Sequence, residues 1–314
     1  MVGAHTDEQA APPAARPGLV STVFKLLRVK QWSKNLLVFA GLLFSVTVRD
    51  PKSIAIAFEA FVAMCLVSSA TYIVNDIRDV AKDRLHPKKR LRPIASGAVP
   101  VNVATGVAAL CLAGGLGLGW VVDRTAFTIL CSYLAVQIAY NAGLKKTPVA
   151  DVYAISVGFV LRAALGAAAI HVTISGWLLF CTGALSLMLG FGKRRNEYIL
   201  QGDARSSTRD SLVHYNRAAL DALVIMFACA AAMCYGIYTL QSETAHKYPA
   251  LIVTSPFVFY GITRYVLLVF IADEGGEPEE FLFHDKHILA SIVLFLAAAA
   301  VALSGLRLPI LELR

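Results

Sequence analysis

The chain has 314 residues, of which 57% are hydrophobic and 16% charged, with a mean hydropathy of +0.63 and a formal net charge of +8. That balance excludes an ordinary soluble domain and predicts an all-α fold, a polytopic membrane helical bundle. The basic residues cluster in loops between apolar stretches, which excludes nucleic acid as the partner the net charge alone would suggest.

The residues up to Gly18 are Ala/Pro-rich and polar, with no apolar core followed by a cleavage site, and are expected to be a disordered tail (1–18) rather than a signal peptide. Residues 19–314 are expected to form a single transmembrane catalytic domain. Lys25, Arg28, Lys30, Trp32 and Lys34 mix cations with an aromatic anchor, as in a helix lying among lipid headgroups. Lys34 is close enough to the first apolar stretch to reach a site at its end.

About nine spans follow, near 35–49, 53–74, 101–121, 125–143, 149–170, 173–191, 218–240, 248–271 and 287–306. Assigning alternate loops to two sides puts 21 Lys/Arg on one and six on the other, with Arg162 and Arg264 inside spans. The richer side is then cytoplasmic by the positive-inside rule, and every loop with polar chemistry falls on it. The six cysteines lie in apolar stretches without metal-ligand spacing, and Gly114–Gly119 reads as a helix-packing run rather than a dinucleotide loop.

The most informative stretch follows the second span. Asn75, Asp79 and Asp83 recur at i, i+4 and i+8, so a helix presents them on one face, with Asp76 beside them. Oxygen ligands in this pattern suit Mg2+, which binds through a few carboxylates and the oxygens of a phosphate substrate. The basic run Arg84–Arg92 comes next, and its Lys88, Lys89, Arg90 and Arg92 are candidates for phosphate binding. A solvated charged loop would leave the helical spacing of the acids unexplained.

Further along, Tyr140 and Asp151 flank Lys145 and Lys146; the lysines mark the membrane boundary or contribute to a polar site. Lys193, Arg194 and Arg195 follow directly on the sixth span, where cations either snorkel or meet a lipid phosphate. The acidic segment Asp273–Glu280, with Asp285 after it, reads as a lid or a structural counter-charge. Arg162 lies about eleven residues into its span, where it serves either a cavity or an internal ion pair, and Arg264 is expected to snorkel.

The pattern Asn75-Asp-x-x-Asp-x-x-x-Asp83, the stretch Arg92-Pro-Ile-Ala-Ser-Gly97 and the segment Gln31-Trp-Ser-Lys-Asn35 together resemble the UbiA superfamily of intramembrane prenyltransferases. The resemblance covers most of the chain after about Leu19. Within the superfamily the chain looks closest to the decaprenyl-phosphate phosphoribosyltransferase branch, through His86–Ala95, Gly192–Glu197 and Gly276–Glu280. A typical member carries a second Asp-x-x-x-Asp motif; here the matching loop holds Lys145, Lys146 and one Asp151, which suits a lipid monophosphate as second ligand.

The resemblance implies a nine-helix bundle in the inner (plasma) membrane, with a cytoplasm-facing Mg2+ and diphosphate site. It implies transfer of 5-phosphoribosyl from phosphoribosyl pyrophosphate (PRPP) to a polyprenyl phosphate, making a precursor of the arabinose donor for cell-wall arabinan. Asn75, Asp79 and Asp83 would hold the metal, and Asp76 would stabilise positive charge on the sugar. Lys88, Lys89, Arg90 and Arg92 would hold PRPP, and Lys193, Arg194 and Arg162 would place the acceptor, with Lys34, Tyr140 and Lys145 also in contact with substrate. Asp79→Asn is expected to abolish turnover and Arg195→Gln to have little effect. An aromatic prenyltransferase of quinone biosynthesis is the alternative, and a homo-oligomer is left open.

Overall fold

A computed structural model describes residues 18–43, 50–173, 175–201, 210–271 and 284–304. The tail before Gly18 and the acidic segment 273–280 lie outside these residues. Every regular element among the described residues is helical, as composition predicts.

A short helix α1 (Leu19–Leu26) leads into a 3-10 helix (Val29–Phe39) and one turn of α2 (Ala40–Leu43). Then come α3 (Pro51–Arg78), α4 (Val80–Leu85), α5 (Val101–Val122), α6 (Arg124–Ala142) and α7 (Ala150–Ala169). The chain continues through α8 (Gly176–Gln201), α9 (Arg217–Gln241), α10 (Glu243–Lys247), α11 (Ser255–Ile271) and α12 (Lys286–Leu303). Asp50, Asp123, Asn216 and Asp285 cap α3, α6, α9 and α12 by accepting from their first free backbone amides, so the helices begin sharply after the loops.

Among the described residues seven helices are long and apolar enough to cross a membrane, against the nine spans expected of the whole chain. The difference lies in two places. The 19-residue α6 packs between α5 and α7 but mixes polar side chains into its length. The first expected span, 35–49, is a 3-10 helix and one α-turn up to Leu43, with 44–49 outside the described residues. The polar side chains of this segment explain its shape: Trp32 Nε1 donates to Ser69 Oγ at 3.1 Å and Asn35 Nδ2 to Ser68 Oγ at 3.1 Å, tying it to α3.

Small residues allow this close approach. A methyl group on Gly166 of α7 would overlap the Val38 carbonyl, and one on Gly41 would lie 2.8 Å from the Ala167 backbone. Between α3 and α5, a methyl group on Gly115 of the glycine run would lie 2.9 Å from Ala63 O, the helix-packing role its sequence suggests. Gly166→Ala is therefore expected to destabilise the protein by about 3 kcal/mol, since the backbone obstacle cannot rotate away. A melting temperature in detergent equal to wild type would contradict this contact.

One buried cluster joins Val38, Met64, Val67, Leu130, Tyr133 and Leu165; another joins Val152, Phe191, Leu212, Leu220, Val224 and Tyr265. The spans of α3 and α7 are each more than half buried, the most enclosed of the seven. These two helices pack against each other and carry Asn75, Asp76, Asp151 and Arg162.

Candidate active site

The acids at the end of α3 keep the face that their spacing predicts. The helix gives way at Asp79, which caps it, but Asp79 N donates to Asn75 O at 2.9 Å and Asp83 N to Asp79 O at 2.8 Å. This ladder carries the helical register across the break into α4. Asp76 and Asp83 are buried, whereas Asn75 and Asp79 are partly exposed.

The two buried carboxylates are bound to arginine. Arg92 Nη1 lies 3.0 Å from Asp76 Oδ1 and 2.6 Å from Asp83 Oδ2, so one guanidinium nitrogen bridges both acids. Arg28 grips Asp76 with two nitrogens, Nε donating to Oδ2 at 3.1 Å and Nη2 to Oδ1, and its guanidinium lies 5.2 Å from the centre of the Tyr72 ring. Arg28 has φ 53, the left-handed region, at the junction between α1 and the 3-10 helix. That turn aims its side chain back at α3. Arg28 carries no distinguishing mark in the sequence, and its part in this cluster emerges only from the fold.

The rest of the basic run is arranged as an open turn. His86 Nδ1 accepts from the amides of Lys88 at 3.2 Å and Lys89 at 3.3 Å, and Arg84 Nε donates to Ala95 O at 3.2 Å. Lys88, Lys89 and Arg90 consequently project into solvent, while Arg92 points inward to the acids.

A second polar centre joins α7 and α8. Arg194 Nε is 2.8 Å from Asp151 Oδ2 and its Nη1 is 2.7 Å from Glu197 Oε2; Ser211 Oγ donates to the same Asp151 oxygen at 3.3 Å. Arg194 and Asp151 are 2% and 0% exposed, so Arg194 is a buried counter-ion here, in place of the lipid-facing cation the sequence suggests. Tyr140 contributes to its electrostatic surroundings, and Lys193 and Lys145 are half-buried at the same bundle end. Tyr215 Oη accepts from Val149 N, and burial raises its phenol above the ordinary tyrosine range.

Arg195 overturns its expectation: it is 1% exposed, 2.5 Å from Asp221 and 2.7 Å from Val269 O, with Phe270 beneath it. Arg264 is likewise not a snorkelling cation but pairs with Asp285 at 2.8 Å. Arg264 donates to the Asp285 carboxyl, which also caps α12, and these bonds hold its pKa at about 2.

Arg162 does not form the internal ion pair that was one of its two expectations. It is 4% exposed, and among the described residues its partners are neutral: Asn35 Oδ1 at 2.7 Å, Gly158 O at 2.8 Å and Tyr133 Oη at 3.0 Å. Asn35 and Tyr133 thus belong to the polar interior. Asn35 stands in the quoted Gln31–Asn35 motif, whereas Tyr133 sits unmarked in an apolar helix.

Chemically, the end of α3 offers four oxygen-bearing side chains within nine residues, beside two guanidiniums. An all-oxygen set of this kind fits a hard divalent cation such as Mg2+ completed by substrate phosphates, and the arginines suit the phosphates themselves. Among the described residues no three carboxylates stand together as a metal-binding group on their own.

The chain is similar to known proteins over nearly its full length. The chain is 36% identical to decaprenyl-phosphate phosphoribosyltransferase of Mycolicibacterium smegmatis over 95% of its own length and 96% of the relative's. It is 35% identical to the enzyme of the same name from Corynebacterium glutamicum, over 90% and 87% of the two chains. A UbiA homologue from Archaeoglobus fulgidus, solved with DMAPP and Mg2+, superposes with a TM-score of 0.70 at 17% identity, covering 91% of this chain and all of that one. Residues 36–287 match the UbiA prenyltransferase family, and with these relatives they place the chain in that family.

Proposed function

We propose that the protein transfers 5-phosphoribosyl from PRPP to a polyprenyl phosphate, decaprenyl phosphate being the acceptor in the names of its relatives, and releases pyrophosphate. The observation that carries this reading is the cluster at the end of α3, where Asn75, Asp76, Asp79 and Asp83 stand beside Arg28 and Arg92 in a chain 36% identical to such an enzyme over nearly its full length.

The chemical problem is to break an anomeric C–O bond while excluding water. Mg2+ held by Asn75, Asp79 and Asp83 would neutralise charge on the departing pyrophosphate. Lys88, Lys89 and Arg90 project from their turn to receive the diphosphate. Arg92 and Arg28 already share Asp76, so this carboxylate orients two guanidiniums toward the phosphates, and any stabilisation of positive charge on the sugar is secondary. The acceptor phosphate is anionic near neutral pH and needs no strong base. Placing it, with Lys193 and Arg162 as the cations at hand and Lys34, Tyr140 and Lys145 around the same end, supplies the proximity contribution. Arg194 supports the site from behind, by holding Asp151. The bundle would lie in the plasma membrane with this end facing the cytoplasm, as the 21-to-six distribution of basic residues supports.

One competing reading has support, because the Archaeoglobus neighbours hold DMAPP or GPP with Mg2+. Prenyl transfer of that kind calls for a second acidic motif. In this chain the matching acid, Asp151, is fully buried against Arg194 and Ser211. The test is metal-dependent turnover: EDTA is expected to abolish formation of phosphoribosyl lipid and added MgCl2 to restore it. Turnover of a prenyl diphosphate with an aromatic acid, and none of PRPP, would transfer the chain to the competing reading.

A further inference from the structure

Arg162 is a cation enclosed in a membrane-spanning helix, and among the described residues no carboxylate pairs with it. Three of its five N–H groups bind neutral oxygens on Asn35, Gly158 and Tyr133, and its guanidinium lies 4.9 Å and 5.3 Å from the centres of the Tyr133 and Phe159 rings. Among the described residues, the ion pairs of this bundle end are made by other groups: Asp76 and Asp83 with Arg28 and Arg92, and Asp151 with Arg194. A buried charge without a counter-ion is costly, and proteins usually pair it or use it.

The partner set is also built with care for geometry. Asn35 presents Oδ1 to Arg162 because its Nδ2 is fixed by Ser68 Oγ at 3.1 Å and Cys65 Sγ at 3.2 Å. Gly158 leaves room for the guanidinium, since a methyl there would lie 3.3 Å from Nη1. Ser68, Tyr72, Asp76, Asp79 and Asp83 succeed one another at i+3 or i+4, so a polar stripe runs from the partners of Arg162 to the acidic cluster. Ser68 and Asp76 are eight residues apart, about 12 Å along the helix. That is the reach of a phosphorylated ribose extending from a diphosphate held at the acids, or of an acceptor phosphate approaching from the other side.

We propose that Asn35 and Tyr133 are positioning residues that hold Arg162 oriented and without a counter-ion, so that it binds a phosphate monoester during the reaction. The chemistry is shared by two sources, the lipid phosphate and the 5-phosphate of PRPP. The inference rests on the proposed phosphoribosyl transfer for the identity of the anion, and on the Arg162 surroundings for everything else.

Asn35→Asp separates this role from a structural one. It keeps an oxygen acceptor for Arg162 Nε, and the Ser68 hydroxyl can turn a hydrogen toward the new carboxylate. What it adds is the missing negative charge. The full-length variant, purified in detergent, is expected to melt at or above the wild-type temperature. Its KM for one phosphate substrate should rise about tenfold or more while kcat changes less, as for loss of one charge-assisted contact. A rise for decaprenyl phosphate identifies the lipid as the anion; a rise for PRPP identifies the 5-phosphate. Both KM values within twofold of wild type would overturn the proposal. Should the variant not fold, Tyr133→Phe removes one anchor of the guanidinium, and a roughly threefold rise of the same KM is expected, an unchanged value again overturning it. Thermal shift with decaprenyl phosphate or ribose 5-phosphate distinguishes the two levels of inference. If the wild type makes no phosphoribosyl lipid, a shift seen in wild type and lost in Asn35→Asp still supports phosphate binding at Arg162, and a shift equal or absent in both refutes it.

Discussion

Asp79→Asn is expected to lower turnover by at least a hundredfold, about 3 kcal/mol of transition-state stabilisation, while leaving the melting temperature unchanged. The side chain is partly exposed at the break between α3 and α4, and among the described residues no ion pair engages it. It is therefore the acid most available for a cation, and the amide substitution removes charge without disturbing a structural bond. Asp83→Asn differs in kind. Asp83 is buried and takes Arg92 at 2.6 Å, so its loss should reduce both stability and turnover. Measuring melting temperature and kcat on both variants separates the roles. Near-wild-type turnover from Asp79→Asn would remove the proposed cation site.

Arg194→Gln and Arg195→Gln are expected to act on the fold, each by roughly 3 kcal/mol, because removing one member of a buried pair leaves the other uncompensated. Arg194→Gln should be the more severe. It strands Asp151, which has no exposure, whereas Asp221 beside Arg195 is 27% exposed and can recover some hydration. The measurement is thermal unfolding in detergent together with the yield of folded protein. Wild-type stability of Arg195→Gln would restore the expectation drawn from sequence that this residue is dispensable.

These two arginines show where the sequence is legible and where it is not. Apolar length and basic loops announce a helical membrane bundle, because crossing lipid imposes both features on any chain. The spacing of Asn75, Asp79 and Asp83 announces a shared face, because helical period is a local property, and the Asn75–Asp79–Asp83 backbone ladder preserves it even where the helix breaks. A cation at a span end carries no such local signature. Lys193, Arg194 and Arg195 are consecutive, yet one is half-buried and two are sealed inside, and the difference is set by Asp151, Asp221 and Val269, which lie 26 to 74 positions away.

The same reason hides Arg28. Its contact with Asp76 spans 48 positions and depends on a left-handed backbone at the end of α1. Arg162 is a mixed case: hydropathy marks it as an ionisable group at depth, but only packing reveals that its partners are neutral. The 3-10 helix at Val29–Phe39 departs from the expected span because Trp32 and Asn35 bond sideways to α3, which hydropathy along the chain does not register.

The most direct test of the whole account is transfer itself. Purified protein is incubated with PRPP labelled in the ribose, decaprenyl phosphate and MgCl2, and the organic phase is analysed for label and mass. The account predicts a labelled lipid whose mass equals decaprenyl phosphate plus one phosphoribosyl unit, formed with one equivalent of pyrophosphate. Label remaining wholly in the aqueous phase, with the wild-type protein folded and the lipid accessible, would contradict it.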